Sequence, residues 1–135
     1  MKTIKKYPKL GITGMLIAFF FLLNTSFIPA TLEIEIDVAP AVLNLQNQAQ
    51  VVTVHTSIAY GLVVASTVYL NDIAIDSWKA DDRGFFVAKF LMKDVKDLPF
   101  NIGTDNSLLL VGKTITGEDF WGEETIKVIN VIPKK

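Results

Sequence analysis

"SLLLVGKTITGEDFWGEETIKVINVI", residues 107–132, reads as two apolar arms joined through a short polar loop. The arms, 107–116 and 124–132, carry the mix of β-branched and aliphatic residues that suits a pleated surface. Between them lies "TGEDFWG", residues 116–122, with two carboxylates, two aromatics and two glycines. Gly117 supplies the backbone freedom of a tight reversal, so the stretch reads as a hairpin tip. Trp121 is expected on the face opposite Phe120. Glu118, Asp119, Glu123 and Glu124 read as solvated charges that keep a hairpin soluble. A calcium ion needs about six to eight oxygens drawn from several loops. These four are divided between turn and strand, so the loop does not read as a metal site.

The same period recurs upstream. "LEIEIDV", residues 32–38, alternates without error, which predicts one half-buried strand with Ile36 inward and Glu35 outward. Pro40 then ends or bends it. "VVTVHTSIAY", 51–60, predicts a strand with Val52, Val54 and Ile58 on one face and His55 on the other. "TVYL" leads to "ND" at 71 and 72, a turn signal. In "FFVAKFLM", 85–92, both faces are apolar, which predicts a central strand with Phe90 in the core. "KDVKDL" allows one helical turn before Pro99. Seven or eight short strands separated by frequent turn signals, without a long amphipathic helix, predict an all-β sandwich.

The charge is uneven. Lys2, Lys5, Lys6 and Lys9 precede any acid, whereas nine basic and 14 acidic residues follow from Thr31 on, a net charge of −5. An acidic body argues against nucleic acid, which is bound largely by Lys and Arg. "MKTIKKYPK", the 14-residue apolar run "LGITGMLIAFFFLL" and "NTSFIPA" have the order of a signal peptide. Residues 1–30 are therefore expected to form a signal-peptide helix cut after Ala30, and 31–135 the sandwich domain. The alternative is an uncleaved anchor, although Asn24, Thr25 and Ser26 end the run short of the roughly 20 apolar residues a span needs. The absence of cysteine excludes a disulfide framework, thiolate metal sites and a lipid-modified cysteine.

In order and spacing, several pieces of the chain resemble a bacterial and archaeal extracellular β-sandwich module usually appended to secreted or cell-surface proteins. They are "IDVAP" at 36–40, "LNL" at 43–45, "STVYL" at 66–70, "SWKADDRG" at 77–84 with "FFVAKF", and "LLVGKTITGEDFWGEETIKVI" at 109–129. The likeness covers nearly all of residues 34–131. It implies an immunoglobulin-like antiparallel sandwich outside the cytoplasm, a buried Phe120, and no settled biochemical activity. Modules of this kind often carry an Asp/Asn/Gly-rich turn after the tryptophan that fits calcium. Here "ADDRG" offers Asp81 and Asp82 as candidate metal ligands, with Arg83 where another oxygen would stand. A β-turn closed by Gly84 is the simpler reading.

His55 is the lone histidine, and no nucleophile signature accompanies it. No cofactor and no enzyme chemistry are implied. Among Tyr60, Tyr69, Trp78 and Trp121, Trp78 is expected to plug an edge of the core. Trp121 is the candidate ligand-binding residue, because exposed tryptophans anchor partners. Two functions follow. The first is an exported, non-catalytic module that meets a protein or glycan partner at the cell surface, touching the membrane only through its N-terminal segment. The second is a carbohydrate-binding module using exposed aromatics.

Overall fold

The alternating stretches become ten strands in the computed structural model, which describes residues 31–132. They are β1 (Thr31–Glu33), β2 (Ile36–Ala39), β3 (Val42–Asn44), β4 (Val51–Ala59) and β5 (Val63–Leu70). There follow β6 (Ile73–Ala74), β7 (Ser77–Ala80), β8 (Phe85–Leu91), β9 (Asp105–Thr114) and β10 (Asp119–Ile129). The helix α1 (Met92–Lys96) buries Met92 and Val95, and a single 3-10 turn (Tyr60–Leu62) joins β4 to β5. The expected signal-peptide helix at 1–30 lies outside the described residues, as do residues 133–135.

The strands form two sheets. One has the order β1-β10-β9-β5-β6, with β3 also pairing with β10; the other has the order β2-β4-β8-β7. A single apolar cluster draws on both, with Val52, Val54, Phe86 and Phe90 from the smaller sheet and Val68, Leu110, Phe120 and Val128 from the larger. β8 is central in its sheet. Val87, on the outer side, is as fully buried as Phe90 on the inner side, as the doubly apolar pattern of "FFVAKF" predicts.

Three expectations change. The stretch 32–38 is two strands rather than one: β1 pairs with β10 in the larger sheet, and β2 pairs with β4 in the smaller. The chain crosses between sheets at Ile34 and Glu35, where Ile34 N–H donates to the Trp121 carbonyl (2.8 Å) and Ser57 N–H to the Glu35 carbonyl (3.0 Å). This crossing and the two-residue β6 raise the strand number to ten. Second, pairing is not wholly antiparallel, since β1 and β3 both run parallel to β10. After β2 the chain passes a cis Ala39–Pro40 bond and returns to the larger sheet. Third, Trp78 does not plug the core. It is in register with buried Ala88, but β7 is the edge strand of its sheet, and the indole remains 45% exposed.

The turns follow local chemistry. Asn71 and Asp72 both have positive φ and close a two-residue hairpin between β5 and β6. The β7–β8 and β9–β10 turns share one geometry. Gly84 N–H donates to the Asp81 carbonyl (3.0 Å) and Gly117 N–H to the Thr114 carbonyl (3.0 Å), each glycine at positive φ. Left-handed backbone at that position favours glycine.

Candidate functional site

β9 alternates strictly. Leu108, Leu110, Gly112 and Thr114 point into the core, and Ser107, Leu109, Val111 and Lys113 point outward. β10 continues the pattern, with Phe120 and Gly122 inward and Trp121 outward. The registers of β1, β10, β9, β5 and β6 then align one outward row: Glu33, Trp121, Val111, Tyr69 and Ala74. Adjacent strands lie about 4.8 Å apart, so Trp121 and Tyr69, one on each side of Val111, are roughly twice that distance from each other. A neighbouring row places Leu109 opposite Glu123.

Tyr69 enters this row because β5 shifts register between Val64 and Tyr69. Thr67 holds the irregular segment, its hydroxyl donating to the Val64 carbonyl (2.6 Å) and accepting from Lys113 N–H (2.8 Å). Bulges of this kind re-aim side chains. Asn71 fixes the next row, its Oδ1 accepting from Leu109 N–H at 2.7 Å. The resulting surface is unusual for a wet sheet face, where polar residues normally alternate with the buried ones. Tyr69 is 41% exposed, Leu109 40% and Val111 37%, with Trp121 half-buried beside them.

Charge surrounds this apolar strip. A shallow hollow of about 440 Å³ beside Trp121 is lined by Glu33, Glu35, Glu123 and Glu124 together with Ile34 and Ile36, and by no cation. Glu123 accepts from the Ser107 hydroxyl at 2.6 Å. Lys113, in the row above, is paired with Asp119 at 2.6 Å. Glu124 is not the free surface charge expected of it. Its Oε2 accepts from Val38 N–H at 2.5 Å, joining β10 of one sheet to β2 of the other.

The remaining candidates lie elsewhere. Asp81 and Asp82 sit in the β7–β8 turn, and Asp81 Oδ1 accepts from Arg83 N–H (2.8 Å) and Phe85 N–H (2.9 Å). The Phe85 N–H is the main cause of a carboxyl pKa below the usual value, reinforced by the Arg83 N–H and the charges of Arg83 and His55. That carboxylate serves the turn. His55 is exposed on the outer face of the smaller sheet, opposite Asp37, in a separate shallow hollow of about 570 Å³. Among the described residues, no group of three or more His, Asp or Glu side chains is placed to hold a metal ion.

Trp121 is thus brought together with Tyr69 and set apart from Trp78. The expectations drawn from the sequence name Trp121 and Tyr69 but not Leu109 and Val111. The signal was nevertheless local: the unbroken run Leu108–Leu109–Leu110–Val111 makes both faces of β9 apolar. Comparison of the chain with protein-family models, with curated proteins and with solved structures finds no match.

Proposed function

We propose that this chain is an exported, non-catalytic, immunoglobulin-like sandwich module that works by contact, through the outer face of its larger sheet. Strand order supports the immunoglobulin-like assignment. β2, β4, β8 and β7 follow the A-B-E-D order of one immunoglobulin sheet, and β10, β9, β5 and β6 follow the G-F-C-C′ order of the other. The basic start and short apolar run of residues 1–30 support export. Sequencing the N-terminus of protein recovered outside the cytoplasm would find Thr31 first. An intact Met1 on membrane-bound material would make the segment an anchor.

The observation that carries the contact reading is the row Trp121–Val111–Tyr69, its tyrosine and valine exposed and its tryptophan half-buried where a solvated sheet would be polar. Its test is retention of the labelled protein on washed envelopes of the cells that make it. Val111→Asp places a charge in the middle of the row and abolishes retention, whereas His55→Asp, on the other sheet, leaves it intact. Equal retention of the two variants would remove the face from consideration.

The two aromatics in one row also favour a second reading, stacking against sugar rings. A glycan array probed with wild type and Trp121→Ala separates the two readings, because a protein partner gives no glycan signal that depends on Trp121.

A further inference from the structure

We propose that the occupant of this face is a basic protein segment, whose Lys or Arg side chain lies on the Trp121 indole between Glu33 and Glu123 while its apolar residues cover Val111 and Tyr69. The inference rests on the contact reading above and names the chemistry of the partner.

Charge selects among the occupants. Trp121 is flanked by Glu33 across the strand pair and by Glu123 two residues along its own strand, and its hollow is lined by four glutamates without a cation. Glu124 lies on the inner side of β10 and is engaged with Val38 N–H, whereas Glu33 and Glu123 flank the indole on the outer face. The neutral Ser107 hydroxyl that Glu123 accepts from leaves its charge unpaired among the described residues. On the outer face, Lys113 is already paired with Asp119, and Lys127 stands opposite Asp105. A second copy would bring these carboxylates against themselves, on a body of net charge −5 from Thr31 on. An anionic lipid surface or nucleic acid meets the same repulsion.

A cation is attracted instead, and the indole adds a specific place for it. Tryptophan is the best aromatic face for a cation, effective within about 6 Å of the ring centroid, and arginine stacks there most often. Side chains of an extended segment alternate between two faces. One with basic and apolar residues in alternate pairs would therefore reach Trp121 with its charge and Val111 with its hydrocarbon.

The test uses the protein purified from the cells that make it, observed by NMR of its two tryptophan indole N–H groups. The Trp121 signal is assigned through Trp121→Phe. The probes are a synthetic peptide of the repeat Arg-Arg-Val-Val, which sets Arg and Val in turn along each face of an extended chain, its Glu-Glu-Val-Val counterpart, and a panel of neutral oligosaccharides. The Arg–Val peptide is expected to shift the Trp121 indole and the amides of Val111 and Tyr69 at low salt, with binding that weakens as salt rises. Neutralising both flanking acids, Glu33→Gln with Glu123→Gln, should weaken that binding about fivefold. No Trp121 shift with the Arg–Val peptide, equal binding of the Glu–Val peptide, or a salt-independent oligosaccharide shift of the same signals would each overturn the inference. The contact reading is judged separately. If Val111→Asp abolishes envelope retention while the doubly neutralised variant keeps it, the face stands and its basic partner falls.

Discussion

The ring of Phe120 on β10 lies over the backbone of Gly112 on β9, directly across the strand pair. A Cβ at Gly112 would come within 2.7 Å of Phe120 Cε2 and 3.1 Å of Val68 Cγ2. The hairpin therefore replaces one side chain with an aromatic ring drawn from the opposite strand. Gly112→Ala is expected to destabilise the protein by about 1–3 kcal/mol through overpacking. Shrinking the ring with Phe120→Leu should relieve part of that cost. A double-mutant cycle by chemical denaturation measures the coupling, expected at about 0.5–3 kcal/mol. Strict additivity would mean that the ring and the glycine do not meet.

Glu124 links the sheets where the chain has just crossed between them. Its side chain shares the inner face of β10 with Phe120 and Gly122, and its carboxylate ends on Val38 N–H of β2. Hydrogen bonds to charged groups contribute about 1.5–3 kcal/mol. Because this one is only partly buried, Glu124→Ala should cost about 1–2 kcal/mol, with Glu124→Gln costing less because it keeps an acceptor. Glu118→Ala, at the exposed hairpin tip, should stay within about half a kcal/mol. Equal losses at Glu118 and Glu124 would show that the inter-sheet hydrogen bond contributes nothing.

The β7–β8 turn should register pH through Asp81. Its carboxyl has a lower pKa folded than unfolded, chiefly because of the Phe85 N–H and then the Arg83 N–H. A depressed carboxylate pKa contributes stability that is fully present above the unfolded value, near about 3.9, and is lost as pH falls through the folded value. Thermal denaturation should therefore find wild type more stable than Asp81→Asn at neutral pH, with the gap closing in acid below about pH 4. A gap that persists unchanged in acid would mean that the charged form gains nothing from the turn.

What was legible in the sequence was what short-range chemistry decides. Asn71–Asp72, Gly84 and Gly117 each mark a turn because left-handed backbone has few willing residues. Phe86, Ala88 and Phe90 mark a core strand because one parity of "FFVAKF" is wholly apolar and the other is apolar except for Lys89. The crossing at Ile34–Glu35 left no trace, and the reason is geometric. Ile34 and Val38 both face the space between the sheets, so alternation is kept whichever sheet the backbone joins. Trp78 misleads for a related reason: its parity is inward, but β7 is the last strand, where the core ends. The contact row was legible only in pieces: the run 108–111 marks an apolar outer face on β9, but placing Tyr69 beside Val111 requires the register shift in β5.

The crossing itself can be tested by mutation. A single half-buried strand over 32–38 would bury Leu32, Ile34, Ile36 and Val38 alike, as its unbroken alternation suggests. Instead Leu32 is 39% exposed at one end, Ile34 and Val38 are buried, and Ile36 is only partly covered. Truncating a buried Ile to Ala costs about 2–5 kcal/mol from lost transfer energy and the cavity left behind, and a buried Phe about 3–5 kcal/mol. Ile34→Ala and Phe90→Ala should fall in those ranges. Leu32→Ala should cost well under about 1.5 kcal/mol, since much of its surface is already in water. Glu35→Ala should stay within about half a kcal/mol, because that residue is held through its backbone to Ser57 while its side chain is exposed. Chemical denaturation of the four variants gives the comparison directly. If Leu32→Ala costs as much as Ile34→Ala, residue 32 belongs to the same buried strand as residue 38, and the chain does not change sheets at Glu35.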